Sequence, residues 1–71
     1  MTPARENYAR KRIDRLTLKI DRINNAIAAR AHSGHPADII AREQLVRDRN
    51  SSTAAIKRWQ KELRAAGIIN W

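Results

Sequence analysis

The chain contains no cysteine and no phenylalanine, and it has only two glycines, two prolines and three aromatic residues among its 71 residues. Without cysteine, neither a disulfide nor a zinc–thiolate cluster can stabilise it. Large aliphatic side chains are also scarce: Ile, Leu and Val contribute 14 residues and alanine contributes 12. A domain of this size obtains only about 3–5 kcal/mol from its own core. We therefore expect its stability to depend on regular helix packing, on self-association or on a partner.

Residue constellations that carry catalysis are missing as well. Two glycines are too few for a phosphate-binding loop, and the carboxylates are scattered singly among arginines rather than paired. His32, His35 and Asp38 offer two imidazoles and a carboxylate, but they straddle a predicted turn and no further ligand lies near them. We expect these residues to serve the turn and the helix cap. The sequence thus predicts no metal, no cofactor, no small-molecule substrate and no enzymatic activity.

Long apolar runs are absent. No stretch approaches the roughly 20 apolar residues that a transmembrane helix needs, and residues 1–6 lack the apolar core of a secretory signal peptide. The apolar residues that are present recur at helical spacing, so the packing of one helix on another would bury them. We expect a cytoplasmic protein that does not attach to membranes.

The first part of the chain carries a regular apolar pattern. Its members recur at spacings of 4, 3, 4, 3 and 4, and they are Ala9, Ile13, Leu16, Ile20, Ile23 and Ile27. This period of 3.5 residues predicts a helix with a coiled-coil-like seam. Thr2 as N-cap and Pro3 at the first helical position predict its start. Gly34, in a left-handed conformation, would end it, and Pro36 would open the next helix.

The second part carries a less regular pattern. Its apolar members are Ile39, Leu45, Val46, Ile56, Trp59 and Leu63, and Gly67 closes the pattern as a C-cap. The polar residues 49–53 interrupt it, so either a third helix begins at Ser51 or Ser52, or one helix runs through. Matched length favours the continuous helix, because residues 3–31 and 36–66 would each span about 45 Å at 1.5 Å per residue.

The sequence therefore predicts an all-α fold, an antiparallel hairpin of two long helices in a single domain over residues 1–71. Its segments are a helix at about 3–31, a turn at 32–35, a helix at about 36–66 and a tail at 67–71. Residue i would face about residue 67 minus i, which places Ile13 opposite Ile56 and Ala9 opposite Trp59. Whether two hairpins pair into a four-helix bundle is left open. The apolar residues outside the seam are candidates for contact with a second hairpin or with a larger partner: Leu18, Ile40, Ile68, Ile69 and Trp71.

Positive charge dominates the chain and is unevenly distributed. Fifteen Lys and Arg against seven Asp and Glu give a net charge of +8, which attracts polyanions. Segments 1–15 and 51–71 each carry a net +3 and adjoin in the predicted hairpin, whereas segment 36–50 is neutral. Every aromatic residue falls in the two basic segments. The candidate contact residues there are Arg5, Tyr8, Arg10, Lys11, Arg12, Arg15, Lys57, Arg58, Lys61, Arg64 and Trp71.

Two functions fit this distribution. In the first, the chain binds nucleic acid or a ribonucleoprotein, because cations displace counterions from phosphates and aromatic rings stack on bases. In the second, it is an inhibitor, adaptor or assembly factor of the kind that viruses and plasmids encode, docked on an acidic protein surface with Ile68, Ile69 and Trp71 as anchors. Ordinary solvated helix faces, or a compositional bias towards Arg and Ala, would produce the same charge. Trp59, on the seam, is expected in the core.

Overall fold

The computed structural model describes residues 2–67, and these form two α-helices. Helix α1 spans Pro3–Ala29 and helix α2 spans Pro36–Ala65. The two helices pack against each other along a rod that measures 49 × 17 × 15 Å. The predicted all-α helical hairpin is confirmed. The predicted contact residues of the tail, Ile68, Ile69 and Trp71, lie outside the described residues.

Both helices begin as the sequence predicts. The Thr2 Oγ1 atom accepts a hydrogen bond from the Arg5 amide at 3.2 Å, and a proline occupies the first helical turn. At the start of α2, His35 is the N-cap, and its Nδ1 atom accepts from the Ala37 amide at 3.2 Å. Asp38 lies in the first turn of α2, where its negative charge is favourable beside the free amide groups.

The end of α1 differs from the prediction. The helix stops at Ala29 rather than near residue 31, and Gly34 does not adopt a left-handed conformation, because Gly67 is the one residue in the range 2–67 with positive φ. A side chain of α2 binds the carbonyl groups just beyond the end of α1. The Arg42 Nη1 atom donates to the carbonyl oxygens of Arg30 and Ala31, both at 2.8 Å. The last carbonyls of α1 itself have local partners, because the amides of Arg30 and Ala31 donate to the carbonyl oxygens of Ile27 and Ala28 at 3.1 and 3.2 Å. The helix therefore ends in a tight turn without a left-handed residue.

Helix α2 is continuous through the polar segment, so no third helix begins at Ser51 or Ser52. Ser52 is only 3% exposed. In the predicted register it lies across from Leu16, which is also buried. A small residue here lets the two helices approach without displacing the larger side chain opposite. The predicted register holds along the rod, because the cross-helix ion pairs Arg5–Glu62 and Lys19–Asp48 join residues whose numbers add up to 67.

The hydrophobic core cluster lies at the end of the rod away from the turn. We call residues 2–15 and 51–67 the open half, and residues 16–50 the turn half. In the open half Ala9, Ile13 and Leu63 are buried, and Ile56 and Trp59 pack against them, as the register predicts.

In the turn half Leu16 and Ile23 are buried, but two isoleucines that follow Pro36 are not. Ile39 is 40% exposed and Ile40 is 56% exposed. Ile39 was predicted on the seam, and its exposure follows from helix geometry. It precedes Ile56 by 17 residues, and at about 100° per residue the two side chains point roughly 100° apart.

Within residues 2–67, neither helix is long and apolar enough to cross a membrane.

Candidate functional site

Two of the predicted contact residues, Arg5 and Tyr8, form a cluster on Trp59. The Arg5 guanidinium donates to both carboxylate oxygens of Glu62, at 3.1 and 3.4 Å, and lies 4.7 Å from the centroid of the Trp59 ring. The Tyr8 ring meets the same indole edge-on, with centroids 5.4 Å apart and planes at 68°. Arg5 and Tyr8 therefore brace the open half, and the indole itself packs against the core as predicted.

Two further predicted contact residues are also engaged within the chain. Arg10 pairs with Glu6 one helical turn earlier, at 2.9 Å. Arg64, in the last turn of α2, has an interaction partner as well. Together with Arg5, these side chains already have electrostatic or hydrogen-bonding partners in the folded protein, so they are less available to a ligand than a cation without a partner.

The other cations of the open half have no partner. Within residues 2–67, no hydrogen bond or ion pair engages the side chains of Lys11, Arg12, Arg15, Lys57, Arg58 and Lys61. They come from both helices, so the hairpin brings together at one end cations that are more than 40 residues apart in the chain. We call these six side chains the unpaired cations of the open half.

Cations of the turn half are used differently. Lys19 pairs with Asp48 at 3.0 Å, and Arg30 pairs with Asp38 at 3.6 Å. Arg42 caps the end of α1, and Arg49 donates to the side-chain oxygen of Asn24 at 3.2 Å. In the described part of this half, two cations have no partner, and they are Arg22 and Arg47.

Two of the unpaired cations of the open half flank a groove. This Trp59 groove encloses about 370 Å³, and its lining comprises Arg5, Arg12, Ala55, Arg58, Trp59 and Glu62. Glu62 is bonded to Arg5, whereas the guanidinium groups of Arg12 and Arg58 are available. Guanidinium groups form paired hydrogen bonds with phosphate or carboxylate oxygens. The Trp59 groove can therefore accept an anion, with an indole as its apolar wall.

The two described members of the predicted apolar contact set, Leu18 and Ile40, do not lie on one surface. Leu18 is 58% exposed on α1, two residues from both Leu16 and Ile20 and so on the side of that helix away from α2. Ile40 is exposed on α2, near the turn. Because they lie on the outward sides of different helices, one partner surface would not cover both.

The candidate metal ligands of the turn do not gather into one site. In residues 2–67, no group of three or more His, Cys, Asp and Glu side chains is placed to hold a metal ion. The three candidate ligands of the sequence do not converge: His35 caps α2, and Asp38 accepts a hydrogen bond from the Ser33 hydroxyl and faces Arg30. His32 is exposed beside them.

Sequence reasoning missed the division between engaged and unpaired cations. The signal for part of it was present, because the numbers 5 and 62 add up to 67 and the register thus predicts that Arg5 meets Glu62. The groove between Arg12 and Arg58 was not predictable in this way, since it depends on how far each side chain extends beside the Trp59 indole.

No protein-family model, no curated protein and no solved structure matches this chain. What bears on its function is therefore the chemistry of its own residues. In the described part of the chain, the unpaired cations of the open half and the Trp59 groove are features that suit an anionic ligand.

Proposed function

We propose that this chain is a non-enzymatic binding protein of the cytoplasm that contacts nucleic acid, alone or within a ribonucleoprotein, mainly through phosphates. The observation that carries the proposal is that six of the eight cations without a partner in residues 2–67 lie in the open half. A cation that is already paired gains little from a phosphate. An unpaired one releases condensed counterions from the nucleic acid, and this release drives binding.

Within the open half, the Trp59 groove is the most favourable position for a phosphate. Arg12 and Arg58 both line it without an internal partner, so a phosphate there would receive charge-assisted hydrogen bonds from α1 and α2 together. The negative charge of Glu62 is offset by its bidentate contact with Arg5. One face of the indole is covered by that arginine, so base stacking on Trp59 is not part of the proposal.

Weak sequence specificity belongs to the same proposal. A helix-turn-helix protein reads base edges with a short, angled recognition helix in the major groove. This hairpin instead offers two long antiparallel helices, and Lys11, Arg15, Lys57 and Lys61 are distributed over both of them. A broad field of cations suits the repeating charge of a phosphate backbone, and phosphate contacts position a ligand without reading its sequence.

An acidic protein surface would be attracted by the same charge. The anchors that this alternative requires, Ile68, Ile69 and Trp71, lie outside the described residues. The alternative is therefore one of the outcomes of the test.

The test is a salt titration of binding to a fluorescently labelled duplex DNA and a labelled single-stranded RNA, followed by anisotropy. We expect the logarithm of the affinity to fall linearly with the logarithm of the salt concentration, by about 0.9 for each phosphate contacted on duplex DNA. Arg12→Gln and Arg58→Gln are each expected to reduce that slope by about 0.9.

Arg22→Gln is the matched control, because Arg22 is also unpaired and exposed but lies in the turn half. We expect it to leave the slope nearly unchanged. Absence of binding at low salt, or an effect of Arg22→Gln as large as that of Arg58→Gln, would refute the proposal. Salt-insensitive association with an acidic protein, lost on deletion of residues 68–71, would support the alternative instead.

A further inference from the structure

The turn half contains an open apolar groove that the proposed nucleic-acid contact does not use. This turn groove encloses about 550 Å³, and its lining comprises Ile27, Ile39, Arg42, Glu43, Val46 and Arg47. Ile39 is exposed over 40% of its surface, and Ile27 and Val46 are half-buried. Three aliphatic side chains thus form a continuous surface between the two helices, where the seam is too narrow to bury them.

The charges around the turn groove have both signs. Glu43 and Arg47 have no hydrogen-bond or ion-pair partner in residues 2–67, although they are one helical turn apart. The segment 36–50 has a net charge of zero, against +6 for segments 1–15 and 51–71 together. A polyanion would be repelled by Glu43, and a uniformly acidic protein surface would meet as many negative charges as positive ones.

We propose that the turn groove is the surface through which two copies of this chain pair. A dimer with twofold symmetry brings the same patch of both copies together, so a residue that meets a second residue is met by it in return. Ile39 and Val46 of each copy would fill the groove of the other. Glu43 of one copy would meet Arg47 of the other, and each pair would occur twice. A surface with one free acid, one free base and an apolar centre is complementary to itself.

The charge distribution also favours dimerisation through the turn half rather than through the open half. Two open halves would bring net charges of +6 together, and their repulsion would oppose pairing. Pairing through the turn halves directs both open halves outward. Burial of the turn groove also compensates for the small core of the single hairpin. Leu18, which the sequence offered as a contact residue, does not line this surface.

The test measures the mass of the full-length chain, free of nucleic acid, by sedimentation equilibrium over a range of concentrations. We expect the mass to rise from 8.2 kDa towards twice that value. Ile39→Ser is expected to weaken the dimer about tenfold or more, because a central interface side chain is lost. Leu18→Ser is the matched control, since Leu18 is at least as exposed but lies outside the groove, and it should dimerise like the original chain.

Charge exchange tests the pairing without altering the core. Glu43→Arg and Arg47→Glu should each weaken self-association, because like charges would meet twice in every dimer. An equimolar mixture of these two variants should recover a dimer, and so should the double variant that exchanges both charges. Circular dichroism verifies that each variant is helical. A chain that stays at 8.2 kDa at every concentration, a dimer weakened equally by Leu18→Ser, or a mixture that does not pair would overturn the proposal.

Discussion

The two halves of the hairpin use the same kinds of side chain in different ways. In the open half, Ala9, Ile13 and Leu63 are buried, and six cations have no partner among the described residues. In the turn half, four of six cations hold the chain in place, whereas Ile39 and Ile40 are exposed. Apolar side chains thus form the core in the open half but are partly exposed in the turn half. Cations are mostly paired in the turn half but mostly available in the open half.

This contrast shows why net charge alone is a poor guide to a binding surface. A cation contributes to ligand binding only to the extent that the folded chain has not already neutralised it. The reversal of the chain demands partners, because the last carbonyl groups of α1 and the first amide groups of α2 have none within their own helices. Arg30 and Arg42 meet that demand. The open half has no such turn, and its aromatic cluster leaves most of its cations unused.

The largest expected effect concerns the core of the open half. Leu63 is fully buried, so Leu63→Ala should reduce the free energy of unfolding by about 2–5 kcal/mol. That loss is comparable with the whole stability of a domain of this size. We expect the variant to be largely unfolded at room temperature, as measured by helical circular dichroism and urea titration.

Leu45→Ala is the control for that experiment, because it removes the same atoms from a half-buried position in the turn half. Its expected loss is about 1 kcal/mol, since part of this side chain is in contact with water in the folded chain. If Leu45→Ala proved as damaging as Leu63→Ala, the two halves would be equally well packed and the contrast drawn above would be wrong.

A second prediction concerns the boundary between the halves, at Ser52. Ser52→Leu places a large side chain in a closely packed position and should destabilise the fold by about 1–3 kcal/mol. Ser51→Leu, at the exposed neighbouring position, should change stability by less than about 0.5 kcal/mol. Thermal unfolding of the two variants measures the difference. Equal midpoints would show that the helices are not in close contact at this level.

Much of the fold could be predicted from the sequence, because it depends on helix periodicity and on chain length. The spacing of Ile13, Leu16 and Ile23 identifies the buried line of α1, and Thr2 and Pro36 mark the starts of the helices. Matched helix lengths predicted the continuous α2. All of these features are local, or follow from the single requirement that two rods of similar length cover each other.

Features that depend on the conformations of long side chains could not be predicted as well from the sequence. The predicted left-handed Gly34 is not observed. Arg42 donates to the carbonyls that follow α1, and nothing in the residues next to Arg42 indicates that it reaches across the turn. Likewise, the sequence shows that the open half is basic but not that Arg10 is engaged while Arg12 and Arg58 are available. Which cations remain available follows from side-chain conformations in the folded rod.

A third prediction tests the structural role of cations in the turn half. Arg42→Gln removes a charged donor from two carbonyl groups and should cost about 1 kcal/mol of stability, because the site is only partly shielded from water. Amide hydrogen exchange at the end of α1 should accelerate. Arg22→Gln, which removes the same group from an unpaired position, should leave both quantities nearly unchanged. Similar exchange rates in the two variants would contradict the capping role.

The smallest expected change in stability, about 0.2–1 kcal/mol, follows from breaking one exposed ion pair in each half. Glu62→Gln releases Arg5 beside the Trp59 groove, and Asp48→Asn releases Lys19 in the turn half. Both side chains of each pair are at least 40% exposed, and each substitution raises the net charge equally. The two substitutions should therefore change stability by similar amounts, whereas their effects on nucleic-acid affinity should differ.

On the proposed function, Glu62→Gln adds an available guanidinium to the groove and should tighten binding by about twofold to tenfold at low salt. Asp48→Asn should tighten it much less. Equal gains in the anisotropy titration would mean that total charge governs binding and that the open half has no special role.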